Sequence, residues 1–379
     1  MSKSTPGPDP EAAYIYSFPA LRGVQAGREF FVAMCPLKLV PKIFSFDGGD
    51  VPDELRAQRV LNRARIPEIA HYLVANPRDY VFSSISASVD KRVQFTPIGK
   101  GKTPSQLGQL VIPMTARILI NDGQHRRAAI EEALQHRPEL GEETLSVVFF
   151  QDAGLKRSQQ MFADLNKHAV RPSRSLGILY DHRDPFALLA KNLVDRVPLF
   201  KGLTEVGKTT ISNRSRKLFT LSTIFQATVA LLGGEDRKEP PTPKDESLAI
   251  EYWGEMPNHI PEWKLAIDGK VSCGELRQDF IHAHGIALHA LGRAGAGLLE
   301  RYPSNWKTRL SRLDGLDWRR TNASLWEGRA LMGGHASKAP MNIVLTANVL
   351  KAILGLPLTA SEQHVEDSFH GGVIGRASA

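Results

Sequence analysis

With 379 residues, 42% of them apolar, the chain is long enough for two domains, or for one large domain with additions, and has the make-up of a globular protein. A formal net charge of +8 favours an anionic partner, nucleic acid first. Cys35 and Cys273, the only two cysteines, are too few for a disulfide framework, and no run approaches the roughly 18 uninterrupted apolar residues of a membrane span. The first residues also lack the apolar core of a signal peptide, so a reducing, cytoplasmic setting is expected.

In chain order, residues 1–13 are expected to be a disordered tail, with order beginning near Tyr14. Phe30–Met34 reads as a strand and Leu37–Phe46 as an extended or turning segment. An apolar stripe including Val60, Ala64, Ile69 and Leu73 predicts a helix over Leu55–Val74, kinked or opened at Pro67, which has no N–H and is well tolerated only in a first turn. Tyr80–Val89 is expected to be a strand. Leu110, Ile112, Met114, Ala116, Ile118 and Ile120 alternate with more polar neighbours, which predicts one half-buried strand, and Ala129, Ile130, Ala133 and Leu134 predict a helix to about His136. Leu145–Phe150 is a continuous apolar run, the mark of a strand covered on both faces, and Met161, Phe162 and Leu165 predict a helix closing near Asn166. This alternation argues an α+β or α/β domain over residues 14–170.

Beyond Arg171 the strand signal fades, and residues 171–360 read as a mainly helical domain. Helices are predicted around Leu218–Leu232, Leu276–Leu299 (weakened by Gly292, Gly295 and Gly297), Trp306–Leu313 and Met341–Leu354. Residues 233–247, rich in Pro, Gly and mixed charge, read as an exposed loop, and residues 361–379 as a mobile tail.

The most informative stretch is Asp122-Gly123-Gln124-His125-Arg126, where the strand pattern gives way to the helix pattern. A glycine allows the tight turn, Asn121 or Asp122 is a good N-cap, and the unpaired N–H groups of a new helix make a seat for a phosphate. Arg126, Arg127 and His125 could add charge-assisted bonds, and Asp122 could hold Mg²⁺ through water. The duller reading is a capped strand-to-helix turn with surface arginines. Gly202–Thr209 matches the phosphate-loop pattern, Gly, four residues, Gly-Lys-Thr, but lacks the buried strand that should precede it, so a basic loop leading into an Arg214–Thr228 helix is the better reading. In that loop Lys208, Asn213, Arg214, Arg216 and Lys217 supply donors suited to a DNA backbone, although a solvated helix start would look the same. Further basic residues cluster at Arg56, Arg59, Arg63 and Arg65, and at Lys307, Arg309, Arg312, Arg319 and Arg320. His282, His284 and His289 lack metal-ligand spacing, and Cys35 sits among apolar neighbours as a buried structural thiol would.

Several segments together carry a resemblance: Phe18–Glu29, Met34-Cys35-Pro36-Leu37, Arg65–Ala70, the Asp122–Arg126 box and Asn213–Ser222. In this order they resemble the DndB family, the DGQHR-type B proteins of bacterial DNA phosphorothioation systems. The resemblance implies a ParB/sulfiredoxin-like N-terminal domain, followed here by the mostly helical C-terminal one. It also implies a transcriptional regulator, expected to be a repressor, that binds double-stranded DNA at the promoter of its own modification locus. Its motif turn, Asp122 to Arg127, would hold nucleotide phosphates, with ATP or CTP and Mg²⁺ as the expected cofactor, Arg126 as phosphate clamp and Asp122 as candidate catalytic residue. ParB proteins carry Gly-Glu-Arg-Arg where this chain has Gly123-Gln124-His125-Arg126, a departure that bears on their CTP chemistry. The alternative is an ATP or CTP hydrolase that supports the modification machinery. Other proteins of that machinery are expected partners, and a two-fold dimer fits if the operator is palindromic.

Overall fold

The computed structural model describes residues 14–44, 62–99, 106–152, 157–167, 172–234, 237 and 239–377, with side chains to 370. The fold is α+β. The chain divides into two compact units, residues 1–170 and residues 171–379. The tail at 1–13 and the basic residues Arg56 and Arg59 lie outside the described residues.

The first unit is built on a seven-stranded sheet of β1 (Ile15–Gln25), β2 (Arg28–Pro36), β3 (Ile85–Val89), β4 (Gln94–Pro97), β5 (Leu107–Pro113), β6 (Ile118–Asp122) and β7 (Thr144–Gln151), in the order β4-β5-β1-β2-β7-β3-β6. All neighbours are antiparallel except β3 and β7, which run parallel. Alternate residues enter one core: Phe18 and Ala20 from β1, Phe31, Ala33 and Cys35 from β2, Ile85 and Ala87 from β3, Val147 and Phe149 from β7. The helices Ile66–Ala75 and Gln124–His136 pack on each other, and Ala70, Leu73, Ala129, Ile130 and Ala133 belong to the same core.

Several expectations are corrected here. The alternation from Leu110 to Ile120 is two strands rather than one, joined by a turn at Met114–Arg117. Strand β5 pairs with β1 and β4, while β6 pairs with β3 at the far edge of the sheet. Residues 37–44 include a short helix, Val40–Ile43. Pro67 occupies the first turn of the Ile66–Ala75 helix and opens it rather than kinking it, and the stretch from 55 to 61 is outside the described residues. Strand β7 buries one face fully and the other only partly, so it is not covered on both.

The second unit is helical, around a core that includes Phe200, Phe219, Tyr252, Trp253, Trp263 and Trp326. The segment read as an exposed loop at 233–247 ends early: Thr242 caps the Pro243–Glu255 helix by a reciprocal capping box with Asp245, which stops the loop. The helix read at Leu276–Leu299 is two, Cys273–Asp279 and Gly285–Arg301, with a 3₁₀ turn at Ile281–Ala283 between them. The second runs unbroken through Gly292, Gly295 and Gly297. A Cβ on Gly292 would lie 2.1 Å from the Ala227 carbonyl oxygen and one on Gly295 2.5 Å from the Tyr252 hydroxyl, so these glycines let the helix approach its neighbours. The expected mobile tail is instead the helix Ala360–Ala377, tied by Glu362 to the buried Lys351 (Nζ to Oε2 2.7 Å) and by Glu366 to Arg329.

Candidate functional site

The motif turn sits where edge strand β6 ends. Asn121 is fully buried there, its Nδ2 donating to Ser88 Oγ at 2.9 Å, which pins β6 to β3. Gly123 follows with φ +115°, and an added Cβ would lie 2.8 Å from Cγ1 of the buried Ile85 and 3.2 Å from the Arg126 guanidinium. Only glycine fits both the backbone conformation and the space. The helix Gln124–His136 starts on the bond from Arg127 N–H to the Gly123 carbonyl (2.9 Å), with no side-chain cap and no acid in its first turn. Its first N–H groups therefore lack the partners a Ser or Asp cap would supply.

The side chains of the turn split into two groups. Asp122 and Arg126 come together: Nη2 of Arg126 donates to Asp122 Oδ2 at 2.8 Å and to the Ser84 carbonyl at 3.1 Å. Arg127 faces elsewhere, donating to Pro41 O at 2.8 Å and to Glu131 Oε2 at 2.6 Å, so it ties its helix to the short Val40–Ile43 helix rather than joining Arg126. Gln124 Nε2 reaches back to Ile120 O at 3.3 Å. His125 Nε2 accepts the Asn62 backbone N–H at 3.1 Å, which requires an unprotonated Nε2. Its pKa is lowered, first by burial and then by the positive charges of Arg65 and Arg126, so the ring is neutral near pH 7. The turn is thus internally paired, with one cation, Arg126, that an incoming phosphate would have to take from Asp122.

In the second unit the Gly-x₄-Gly-Lys-Thr segment is not a phosphate loop. Glu205 Oε1 accepts the N–H groups of Gly207 (2.9 Å) and Lys208 (3.2 Å), donors that a bound phosphate would need, and no helix begins at Lys208-Thr209. The following helix starts at Leu221, not Arg214, because Thr220 caps it. Residues 206–218 form an irregular loop, and what holds it is Arg277, 7% exposed, on the Cys273–Asp279 helix. Arg277 donates to the carbonyls of Ser212 (2.9 Å), Ser215 (2.9 Å) and Lys217. Lys208, Asn213, Arg214 and Arg216 are exposed on this loop, and among the described residues no side-chain hydrogen bond or ion pair engages the three cations. Lys217 differs: it is half-buried and its Nζ donates to Gly202 O at 2.8 Å, a structural bond. Nothing in the sequence marked Arg277, since its carbonyl partners lie about sixty residues away.

The third basic cluster is largely engaged in structure. Lys307 pairs with Glu251, the Arg309 guanidinium lies 3.6 Å from the Tyr302 ring centre, and Arg312 and Arg320 donate to backbone carbonyls. His282 is fully buried among Phe280, Trp263 and Trp318, and among the described residues no group of His, Cys, Asp and Glu has the arrangement of a metal site. Cys35 and Cys273 are free and buried, and burial pushes the Cys35 thiol up to about 12, which suits a structural residue. Among the described residues no helix is long and apolar enough to cross a membrane.

A family model, DndB, described as DNA-sulfur modification-associated, matches residues 18–357. No curated protein and no solved structure matches the chain.

Proposed function

Because the chain belongs to the DndB family of DNA-sulfur modification-associated proteins, we propose that it is a DNA-binding transcriptional regulator, a repressor at the promoter of its own modification locus. The observation that carries this reading is the loop at 206–218, where Lys208, Arg214 and Arg216 project unpaired while buried Arg277 fixes the backbone at the two arginines and Glu205 and Ser175 fix it at Lys208. Fixed cations suit a phosphate backbone, because each phosphate neutralised releases condensed counterions without a large ordering cost. The test is the salt dependence of binding to a duplex carrying the promoter. With Lys208, Arg214 and Arg216 all changed to Ala, the slope of log affinity against log salt is expected to flatten by up to about 2.7, at about 0.9 per lost contact. An unchanged slope in a folded variant would remove the loop from the DNA site.

The second reading, a nucleotide-dependent regulator or an ATP or CTP hydrolase, is favoured by the Asp122–Arg126 pair at an uncapped helix start. A nucleotide phosphate would draw Arg126 from Asp122 and free that carboxylate for Mg²⁺. Turnover of ATP and CTP, with and without promoter DNA, and its loss in Asp122→Asn, separates an enzyme from a sensor. Nucleotide binding with no turnover would leave regulation alone.

A further inference from the structure

Behind the loop just described, within the second unit, lies a cavity of about 270 Å³ that neither reading uses. Its lining includes Thr209 and Thr210 of the Gly-Lys-Thr segment, together with Thr223, Arg277, His284 and Lys338, and no carboxylate. Two long helices begin at its wall, Leu221–Leu231 capped by Thr220 and Gly285–Arg301 preceded by His284, so two positive dipole ends meet there.

The charges are the unusual part. Lys338 Nζ donates to Thr223 Oγ1 at 3.0 Å, and a Cβ on Gly285 would lie only 2.3 Å from that same nitrogen. An ammonium is thus set against the first residue of a helix, the end that repels cations. Among the described residues no carboxylate pairs with Lys338 or with Arg277, whose partners are all carbonyls and whose Nε is buried with no partner. Lys338 as a residue is exposed, but partial desolvation of its Nζ beside Thr223 lowers the ammonium's pKa. His284 Nε2 lies 2.8 Å from the Arg277 carbonyl, and burial, with Arg320, Arg277 and Lys338 nearby, brings its pKa down to about 4. An exposed ammonium with no carboxylate partner, set beside two helix N-termini in a recess that holds no acid, favours an anion there.

We propose that this cavity binds the diphosphate group of a small free molecule, a nucleoside diphosphate or inorganic pyrophosphate. The recess is open to solvent on one side, so a diphosphate enters and any nucleoside attached to it extends toward the opening. Lys338 and Thr223 contact one phosphate, and the N–H groups at Gly285 and the hydroxyls of Thr209 and Thr210 lie on the path of the other. This site is independent of the motif turn in the first unit.

Titration calorimetry of the full chain with pyrophosphate, ADP and orthophosphate tests the assignment. Pyrophosphate and ADP are expected to bind, orthophosphate more weakly, and Lys338→Met to weaken pyrophosphate about tenfold or more, as loss of a charged hydrogen bond does. Gly285→Ala, whose methyl takes the place of the ammonium, is expected to do the same, whereas Lys244→Met, at an exposed lysine outside the lining, leaves this affinity unchanged. No binding of pyrophosphate or ADP at millimolar concentration would overturn the proposal, as would an unchanged affinity in a folded Lys338→Met. Complete displacement of pyrophosphate by a short DNA duplex would also overturn it, by assigning the cavity to a backbone phosphodiester.

Discussion

Gly123→Ala tests whether the motif turn depends on a close approach as well as on a backbone conformation. At φ +115° an L-residue is strained, by about 1–2 kcal/mol if the left-handed region is the guide. The new methyl would also lie 2.8 Å from Cγ1 of Ile85, a fully buried side chain between strands β6 and β7 with no room to withdraw. Overpacking of this kind costs about 1–3 kcal/mol, for a total of about 2–5 kcal/mol. Gly99→Ala supplies the control. Gly99 lies at nearly the same φ, +113°, just after β4 in the same unit, and a Cβ there meets nothing within 4 Å, so only the conformational cost applies. Urea denaturation, followed by hydrogen exchange of the β6–helix segment at residues 118–136, should show Gly123→Ala less stable than Gly99→Ala by about 1–3 kcal/mol. Equal losses in the two variants would refute the claim that Ile85 constrains the turn.

Lys351→Met leaves the buried Glu362 with only the more distant Arg293 (3.6 Å) as a cation and should cost stability, by less than the about 3–5 kcal/mol of a fully stranded buried charge. All five tryptophans lie beyond residue 171, so tryptophan fluorescence in urea reads this loss in the second unit. Burial alone would raise the Glu362 pKa, but the hydrogen bonds from Lys351 and Thr359 outweigh it and the net shift is downward. The stability this carboxylate contributes is therefore complete above the usual carboxylate range and is lost as pH falls through its lowered value, so the gap between wild type and Lys351→Met should narrow on acidification. A gap that widens in acid would contradict the pairing. Cys35 should react with a thiol reagent in native protein only as fast as the first unit opens, and Cys35→Ala should cost stability rather than DNA affinity; rapid labelling at pH 8 would show the thiol is accessible.

The sequence alone determined what depends on neighbours in the chain. The strand–glycine–helix junction at residues 118–136 was legible because its signals, a two-residue period, a glycine and a 3.6-residue period, follow one another directly. The buried character of Cys35 and the helical nature of the second unit were legible for the same reason. The turn within Leu110–Ile120 was not, since the alternation runs straight through it and only the choice of partners separates β5 from β6. Tertiary structure also decided which cations are free. Arg127 and Lys217 look like their neighbours in sequence, yet carbonyls at Pro41 and Gly202 claim them, while Lys208, Arg214 and Arg216 stay exposed. Arg277 and Lys338 carry no local signal at all. Their surroundings come from segments 60 and 115 residues away, and the free energy of a charge is set by what is folded around it.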